Sequence, residues 1–360
     1  MRKILFKLHL VVAIIFGVFI ALLGVTGSIM AFEDQLDRLF HQKLSYVKPQ
    51  GPAKSLAEIG EAVLKAYPGA EIASYSPSTA RDVSYAVQLE DVTVYVNQYT
   101  GAVLGTRGDD AWLLQKIHQL HLRLAMMDKG RQFGETTIKW SGVAALFLVI
   151  TGAYLWWPVK RVSIRRGEGS RRFWFDVHNS FGIISLVFIL TLVLTGLIIG
   201  FEDRTTPLLY RLSNSQPPPR LRLQTTPVEG ATPITPDEAL KIASVAAPGA
   251  MPSFINVAQG KDVYRINARY PEDRTPGGRT RIAVDPYSGK VLLLVDSRHG
   301  PGGYNLVNLN RAIHTGDIFG MASKTVMSLA SLIMALQLVS GVVMWLKRRD
   351  AEKKARAATA

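Results

Sequence analysis

Four long apolar segments constrain this chain more than any other feature of its sequence. Residues 10–32, 141–157, 181–201 and 325–346 contain no Asp, Glu, Lys or Arg. Each is about as long as the roughly 20 residues that a helix needs to cross the hydrocarbon core of a bilayer. The sequence therefore predicts an α-helical membrane protein with four transmembrane (TM) spans.

The positive charge is concentrated in three short segments. The formal net charge is +14, and 15 of the 42 Lys and Arg residues lie in residues 1–9, 158–177 and 347–360, beside only four acidic residues. By the positive-inside rule these segments face the cytoplasm, and residues 33–140 and 202–324 face outward. We therefore expect a membrane protein with both termini cytoplasmic and with lipid, rather than nucleic acid, as its surroundings.

The composition also limits the chemistry. The chain has no cysteine, which excludes disulfides, iron–sulfur clusters, thiolate catalysis and covalent c-type haem. No G-x-G-x-x-G or P-loop motif is found, so nicotinamide, flavin and ATP domains are not evident. Any redox centre must be held by other ligands.

The chain is a duplication. Leu23–Asp34 resembles Leu192–Asp203 at an offset of 169 residues, and Thr151-Gly152 matches Ser340-Gly341 at an offset of 189. Each half thus consists of a span, an outer domain and a second span. We expect the four spans to form a pseudo-twofold bundle.

The outer segments repeat as well. Residues 94–104 parallel residues 282–292, and both read as hairpins around a Tyr-(Thr/Ser)-Gly turn. Helical patterns precede them at 55–66 and 236–247, followed by alternating segments such as 83–90 and 262–270. We predict two outer α+β domains, each with one helix on a small antiparallel sheet.

Four short segments, in this order, carry a family resemblance: Lys7-Leu8-His9, Ile117-His118-Gln119-Leu120-His121, Asp176-Val177-His178-Asn179 and Ala312-Ile313-His314. With the two turns, the chain resembles the PepSY-associated transmembrane family over nearly its whole length. Iron-regulated inner-membrane proteins and ferric-siderophore reductases belong to that family. The resemblance implies two periplasmic PepSY-like domains and a ferric siderophore or similar chelate as a partner.

The expected organisation follows from the spans, the repeat and the resemblance. In order, it comprises TM1 (1–32), a first PepSY-like domain (33–110), an interfacial helix with TM2 (111–157), a cytoplasmic loop (158–177), TM3 (178–201), a linker with the second PepSY-like domain (202–303), an interfacial segment with TM4 (304–346) and a basic tail (347–360).

The histidines are the candidate ligands. The 169-residue offset places His9 on His178, and His121 aligns with His314 once a gap is opened. His118, one helical turn from His121, is a rival or second ligand. A histidine in a span is costly unless it has a partner, so a matched pair points to function.

Two imidazoles from facing helices supply the axial nitrogens of a b-type haem. We expect two non-covalent haems, with His9 and His178 near the cytoplasmic face and His121 and His314 near the outer face. Asp176 and Asn179 flank His178 and are candidates to orient its ring.

Together with these haems, the resemblance implies a protein of the bacterial inner membrane that transfers electrons from a cytoplasmic donor or quinol to a periplasmic ferric chelate, as a haem-dependent ferric-siderophore reductase. One stretch of the second outer domain is either a docking surface for the anionic chelate or an ordinary strand surface. It contains Arg265, Arg269, Arg274, Arg279 and Arg281.

Three other interpretations remain open. His118-x-x-His121 has a spacing usable for zinc or copper, but it accounts for one face only. A non-catalytic PepSY regulator or chaperone of secreted proteins would use the histidines structurally. A transporter is disfavoured because the spans lack charged residues and are expected to be unbroken at mid-depth.

Overall fold

The structure, a computed structural model, describes residues 1–108, 113–158, 160–165, 169–218, 223–228 and 230–358. The chain forms two compact units. The helical unit comprises Met1–Glu33, Lys116–Thr206 and Leu309–Ala360, and the sheet unit comprises Asp34–Gln115 and Pro207–Asn308. The predicted boundary at 110/111 and part of the predicted loop 158–177 lie outside the described residues.

The first half of the chain contains helices α1–α6 and strands β1–β4, as follows: α1 (Arg2–Met30), α2 (Glu33–Phe40), α3 (Gln42–Ser45), α4 (Leu56–Ala66), β1 (Ser74–Ser76), β2 (Tyr85–Gln88), β3 (Val92–Val96), β4 (Val103–Gly108), α5 (Leu113–Arg123) and α6 (Arg131–Trp156). The second half contains α7 (Ser170–Ile184), α8 (Leu186–Gly200), α9 (Glu202–Leu212), α10 (Pro236–Ala246), β5 (Met251–Asn256), β6 (Tyr264–Arg269), β7 (Thr280–Val284), β8 (Val291–Val295), α11 (Gly302–Thr315) and α12 (Met321–Ala358).

Three helices of the helical unit, α1, α6 and α12, are long and apolar enough to cross a membrane among the described residues. The pair α7 and α8 makes a fourth if its two parts are counted as one span. Helix α1 packs against α6 and α12, and α8 packs against the same two helices, while α7 packs mainly on α12. The apolar segments therefore pack on one another side by side.

The third apolar segment is broken, which corrects the expectation of unbroken spans. Helix α7 ends at Ile184, α8 begins at Leu186, and the two are bent by 64°. The buried Ser185 lies at the break, and its hydroxyl donates to the Phe181 carbonyl at 2.6 Å. Such a bond to the preceding turn competes with the helix ladder and bends helices.

The sheet unit contains one antiparallel sheet of eight strands in the order β4-β3-β2-β1-β5-β6-β7-β8. The predicted hairpins are confirmed as β3–β4 and β7–β8. The two repeats are not separate sheets, because β1 pairs with β5 through Ser74↔Asn256 and Tyr75↔Ile255. The repeats therefore share one sheet.

They also share one hydrophobic core. Alternate strand residues such as Val87, Val94, Ile255 and Ile266 are buried with apolar side chains of α4 and α10 in a single cluster. Period-two alternation along the strands places these side chains on one face, as the sequence pattern predicted.

Both helices on this core begin with the same capping arrangement. Ser55 and Glu58 form a capping box at the start of α4, and Thr235 and Glu238 form one at α10. Hydrogen bonds from Lys54 and then from Ser55 lower the pKa of Glu58 to about 2. The repeats are further linked by Asp237, whose carboxylate accepts the Leu56 and Ala57 backbone N–H groups at 2.8 and 2.9 Å.

Candidate functional site

Each of the four apolar segments carries a hydroxyl residue followed by glycine. These (Thr/Ser)-Gly seats are Thr26-Gly27 in α1, Thr151-Gly152 in α6, Thr195-Gly196 in α8 and Ser340-Gly341 in α12. All four hydroxyl residues are buried. Each hydroxyl donates to a carbonyl of its own helix four residues earlier: Leu22 at 2.7 Å, Phe147 at 2.7 Å, Thr191 at 2.6 Å and Leu336 at 2.7 Å.

One histidine occupies each seat and comes from a different helix. The distances between imidazole Nδ1 and hydroxyl oxygen are 2.7 Å for His9 and Thr151, 2.9 Å for His178 and Ser340, 2.8 Å for His121 and Thr26, and 3.0 Å for His314 and Thr195. The arrangement follows the sequence repeat. The His9–Thr151 contact corresponds to the His178–Ser340 contact, and the His121–Thr26 contact corresponds to the His314–Thr195 contact.

The glycine of each seat leaves room for the ring. A Cβ added at Gly196 would lie 2.9 Å from Cε1 of His314, and one at Gly27 would lie 3.2 Å from Cε1 of His121. The corresponding distances are 3.6 Å from Gly152 to His9 and 3.7 Å from Gly341 to His178. The imidazoles thus lie directly over the helix backbone.

The four rings form two levels. His9 and His178 are close enough to interact electrostatically, and so are His121 and His314. We call these the His9 level and the His121 level. His9 and Thr26 are 17 residues apart on α1, which is about 26 Å along a helix axis. The two levels therefore lie near opposite ends of the apolar segments.

A cavity of about 1580 Å³ opens at the His9 level. His9 and His178 line it together with the glycines of their seats and Gly17 and Gly182. Seven basic residues also line it: Arg2, Lys3, Lys7, Arg171, Arg172, Arg348 and Arg349. It therefore combines an apolar interior with a basic end.

His118 has a different partner from His121. Its Nδ1 lies 3.1 Å from Oε2 of Glu33, and both side chains are about one-third exposed. Among the described residues, no group of three or more His, Asp or Glu side chains is arranged to hold a metal ion. His118 and His121 thus have different hydrogen-bond partners, and the zinc or copper interpretation gains no support.

Asp176 and Asn179, the residues expected to orient the His178 ring, bind other groups instead. Asp176 is buried and forms ion pairs with Arg165 and Arg172, both at 3.1 Å. The Asn179 amide donates to the Phe175 carbonyl at 2.7 Å. The hypothesis about Asp176 and Asn179 is wrong, because the hydroxyl of Ser340 on α12 is the partner of Nδ1.

Four of the five arginines of the second repeat have local partners. Arg265 pairs with Asp262, and the guanidinium of Arg281 lies 5.4 Å from the ring centre of Tyr304. Arg269 donates to the Asp273 carbonyl and Arg279 to the Thr275 hydroxyl. The strand-surface interpretation fits these local pairings better than a common anion site.

The hydroxyl seats are the feature of this candidate site that sequence reasoning missed. Thr26, Thr195, Thr151 and Ser340 all lie in the segments by which the duplication is recognised. Their recurrence beside glycine was a signal, but each partner histidine lies on another helix. Sequence spacing alone does not reveal such a contact.

The chain was also compared with models of protein families. The family model described as PepSY-associated TM region matches residues 6–348, nearly the whole chain. A search of curated proteins finds no match.

Proposed function

The chain belongs to the family defined by the PepSY-associated TM region, and we propose that it is a di-haem electron-transfer protein of the bacterial inner membrane. In this proposal α1, α6, the pair α7–α8 and α12 form a four-span bundle with both termini cytoplasmic and two PepSY-like repeats on the periplasmic side. Electrons from a cytoplasmic donor or quinol reduce a periplasmic ferric chelate such as a siderophore.

One observation carries the proposal: four half-buried imidazoles, paired at two levels, each bonded through Nδ1 to a hydroxyl seat. Within the described part of the chain, no hydrogen bond engages Nε2 of any of the four rings. A polar ring nitrogen within a membrane-spanning segment is costly unless it has a partner. A metal ion held by the two Nε2 atoms of a level would be such a partner.

The surroundings fit a porphyrin at the His9 level. Glycines beside the rings leave room for a flat macrocycle, and the cavity of about 1580 Å³ is large and mainly apolar. Its basic residues would bind the two propionates of a haem. Bound between paired histidines, a b-type haem supplies a reversible one-electron Fe(III)/Fe(II) couple.

The ligand assignment is His9 with His178 and His121 with His314. His118 is left out, because its Nδ1 bonds to Glu33 while His121 occupies the seat of Thr26. The seats hold the rings from the side opposite Nε2. Levels about 26 Å apart along α1 would place one centre in each leaflet.

The ferric chelate is proposed on chemical grounds and from the family. Reduction to Fe(II) weakens binding to the hard oxygen ligands that hold Fe(III). Because a periplasmic reduction needs electrons from inside the cell, two levels at opposite ends of the spans suit such a task.

The decisive experiment is the haem content of the purified chain and its histidine variants. We expect two haems per chain, with a Soret band and a dithionite-sensitive α band. His9→Ala or His178→Ala should each remove one haem, and so should His121→Ala or His314→Ala. His118→Ala, on the same helix as His121, is the matched control and should retain two.

Several outcomes would contradict the proposal. Colourless protein from haem-sufficient cells would favour a PepSY regulator with structural histidines. Equal loss of both haems in every variant would argue against two separate levels. If the reduced protein in nanodiscs is not reoxidised by a ferric hydroxamate, with Fe(II) followed by a chromogenic chelator, the reductase assignment fails.

A further inference from the structure

We propose that Thr26, Thr151, Thr195 and Ser340 are positioning residues that fix the Nδ1–H tautomer of their imidazoles and leave Nε2 as the free lone pair. The tautomer assignment follows from hydrogen bonds within the protein and does not require haem. The role of the tautomer, which is to present Nε2 to haem iron, rests on the proposed function.

The first step concerns the hydroxyl proton. A hydroxyl has one proton to donate and two lone pairs. In each seat that proton goes to the carbonyl four residues earlier, at 2.6–2.7 Å. The hydroxyl oxygen is then an acceptor toward its histidine, so Nδ1 must carry the proton.

The duplication shows which chemical group matters. The repeat pairs Thr151 with Ser340, so the chain itself uses both threonine and serine for the same contact. The two side chains share a hydroxyl and differ by a methyl group. The hydroxyl is therefore the functional part of the seat.

The acceptor also sets the electronic character of the ring. Metal-bound histidines commonly donate their second N–H to a carboxylate, carbonyl or water, which raises ligand basicity. A hydroxyl is a neutral acceptor, so the ring remains a neutral imidazole. Removal of the acceptor makes the ring a poorer electron donor, and we expect the potential of the bound iron to rise.

The test compares Thr151→Val, Thr151→Ser and Thr137→Val in the full-length chain. Thr137 is the matched control, because it lies on the same helix α6, makes the same type of bond to the Phe133 carbonyl at 2.9 Å and is only partly buried. Chains are prepared without haem, with ¹⁵N-labelled histidine, in nanodiscs. Long-range ¹H–¹⁵N correlation spectra then report which ring nitrogen carries the proton.

We expect Nδ1–H tautomers for all four rings of the unmodified chain. Thr151→Val should lose this preference at His9 alone, while Thr151→Ser and Thr137→Val retain it. Ser340→Ala should likewise lose the preference at His178 alone. In the haem-loaded protein, Thr151→Val should raise the midpoint potential of one haem and leave the other unchanged.

An Nε2–H tautomer at His9 in the unmodified chain would overturn the inference without any variant. So would an unchanged His9 tautomer in Thr151→Val. Nδ1–H tautomers in a chain that takes up no haem would support the seat assignment and overturn the proposed function. The two ideas can therefore fail separately.

Discussion

At the scale of single residues, the glycine of each seat determines how closely an imidazole approaches the helix. Gly196→Ala would put a Cβ 2.9 Å from Cε1 of His314, whereas Gly341→Ala would put one 3.7 Å from Cε1 of His178. The first contact forces the ring to move and the second is ordinary van der Waals contact. We therefore expect Gly196→Ala to lower haem content toward one per chain, with Gly341→Ala, its matched control, near two. Equal occupancy in both variants would show that the ring does not lie over Gly196.

The choice between two neighbouring histidines could not be predicted from the sequence. His118 and His121 are three residues apart on α5, and both face roughly the same side of a helix. The choice between them depends on Thr26 and Glu33, which belong to another part of the chain. The duplication could match His9 with His178, but it left the ligand on α5 undecided.

At the scale of elements, the start of α4 depends on a carboxylate from the other repeat. Asp237 accepts the first N–H groups of α4 from Leu56 and Ala57. Loss of an N-terminal cap costs about 0.5–2 kcal/mol. Asp237→Ala should therefore reduce hydrogen-exchange protection at these two amides by up to about 30-fold. Asp91→Ala, at an exposed turn in the same unit, is the control, and equal protection in both variants would argue against the cap.

The capping box of α4 should also respond to acid. The pKa of Glu58 lies at about 2, below its ordinary value of 4.5, so its contribution to stability is complete above about pH 4.5 and declines as pH falls toward 2. Protection of the first turn of α4, corrected for intrinsic exchange, should be constant from pH 7 to 5 and should fall below 4.5. In Glu58→Gln the fall should be smaller, because only the Asp237 carboxylate then remains at the start of α4. A decline between pH 7 and 5 in the unmodified chain would assign the effect to another group.

Helices with a strong apolar periodicity could be predicted from the sequence, whereas a break within a membrane-spanning helix could not. The helices at Leu56–Ala66 and Pro236–Ala246 lie where the apolar spacing put them. The break at Ser185 falls inside an apolar segment with no charge, proline or change of pattern to mark it. A single serine hydroxyl bonded to its own helix carries little sequence signal.

At the scale of the whole molecule, internal repetition gave the plan of the chain but not the way in which its copies join. Each repeat has its own helix and hairpin, so two independent domains were the simplest expectation. The β1–β5 pair joins residues about 180 positions apart, and no periodicity marks a pairing over such a distance. It places Tyr75 and Ile255 side by side in a common core.

The shared core leads to a prediction that separate domains would not satisfy. Ile255 is fully buried at the junction, and truncation of such a side chain costs about 2–5 kcal/mol. Because one core serves both repeats, Ile255→Ala should lower hydrogen-exchange protection of β3 in the first repeat and β7 in the second by similar factors. Val245→Ala, on α10 and 80% exposed, should change neither strand. Loss of protection confined to β7 would mean that the repeats unfold independently despite the continuous sheet.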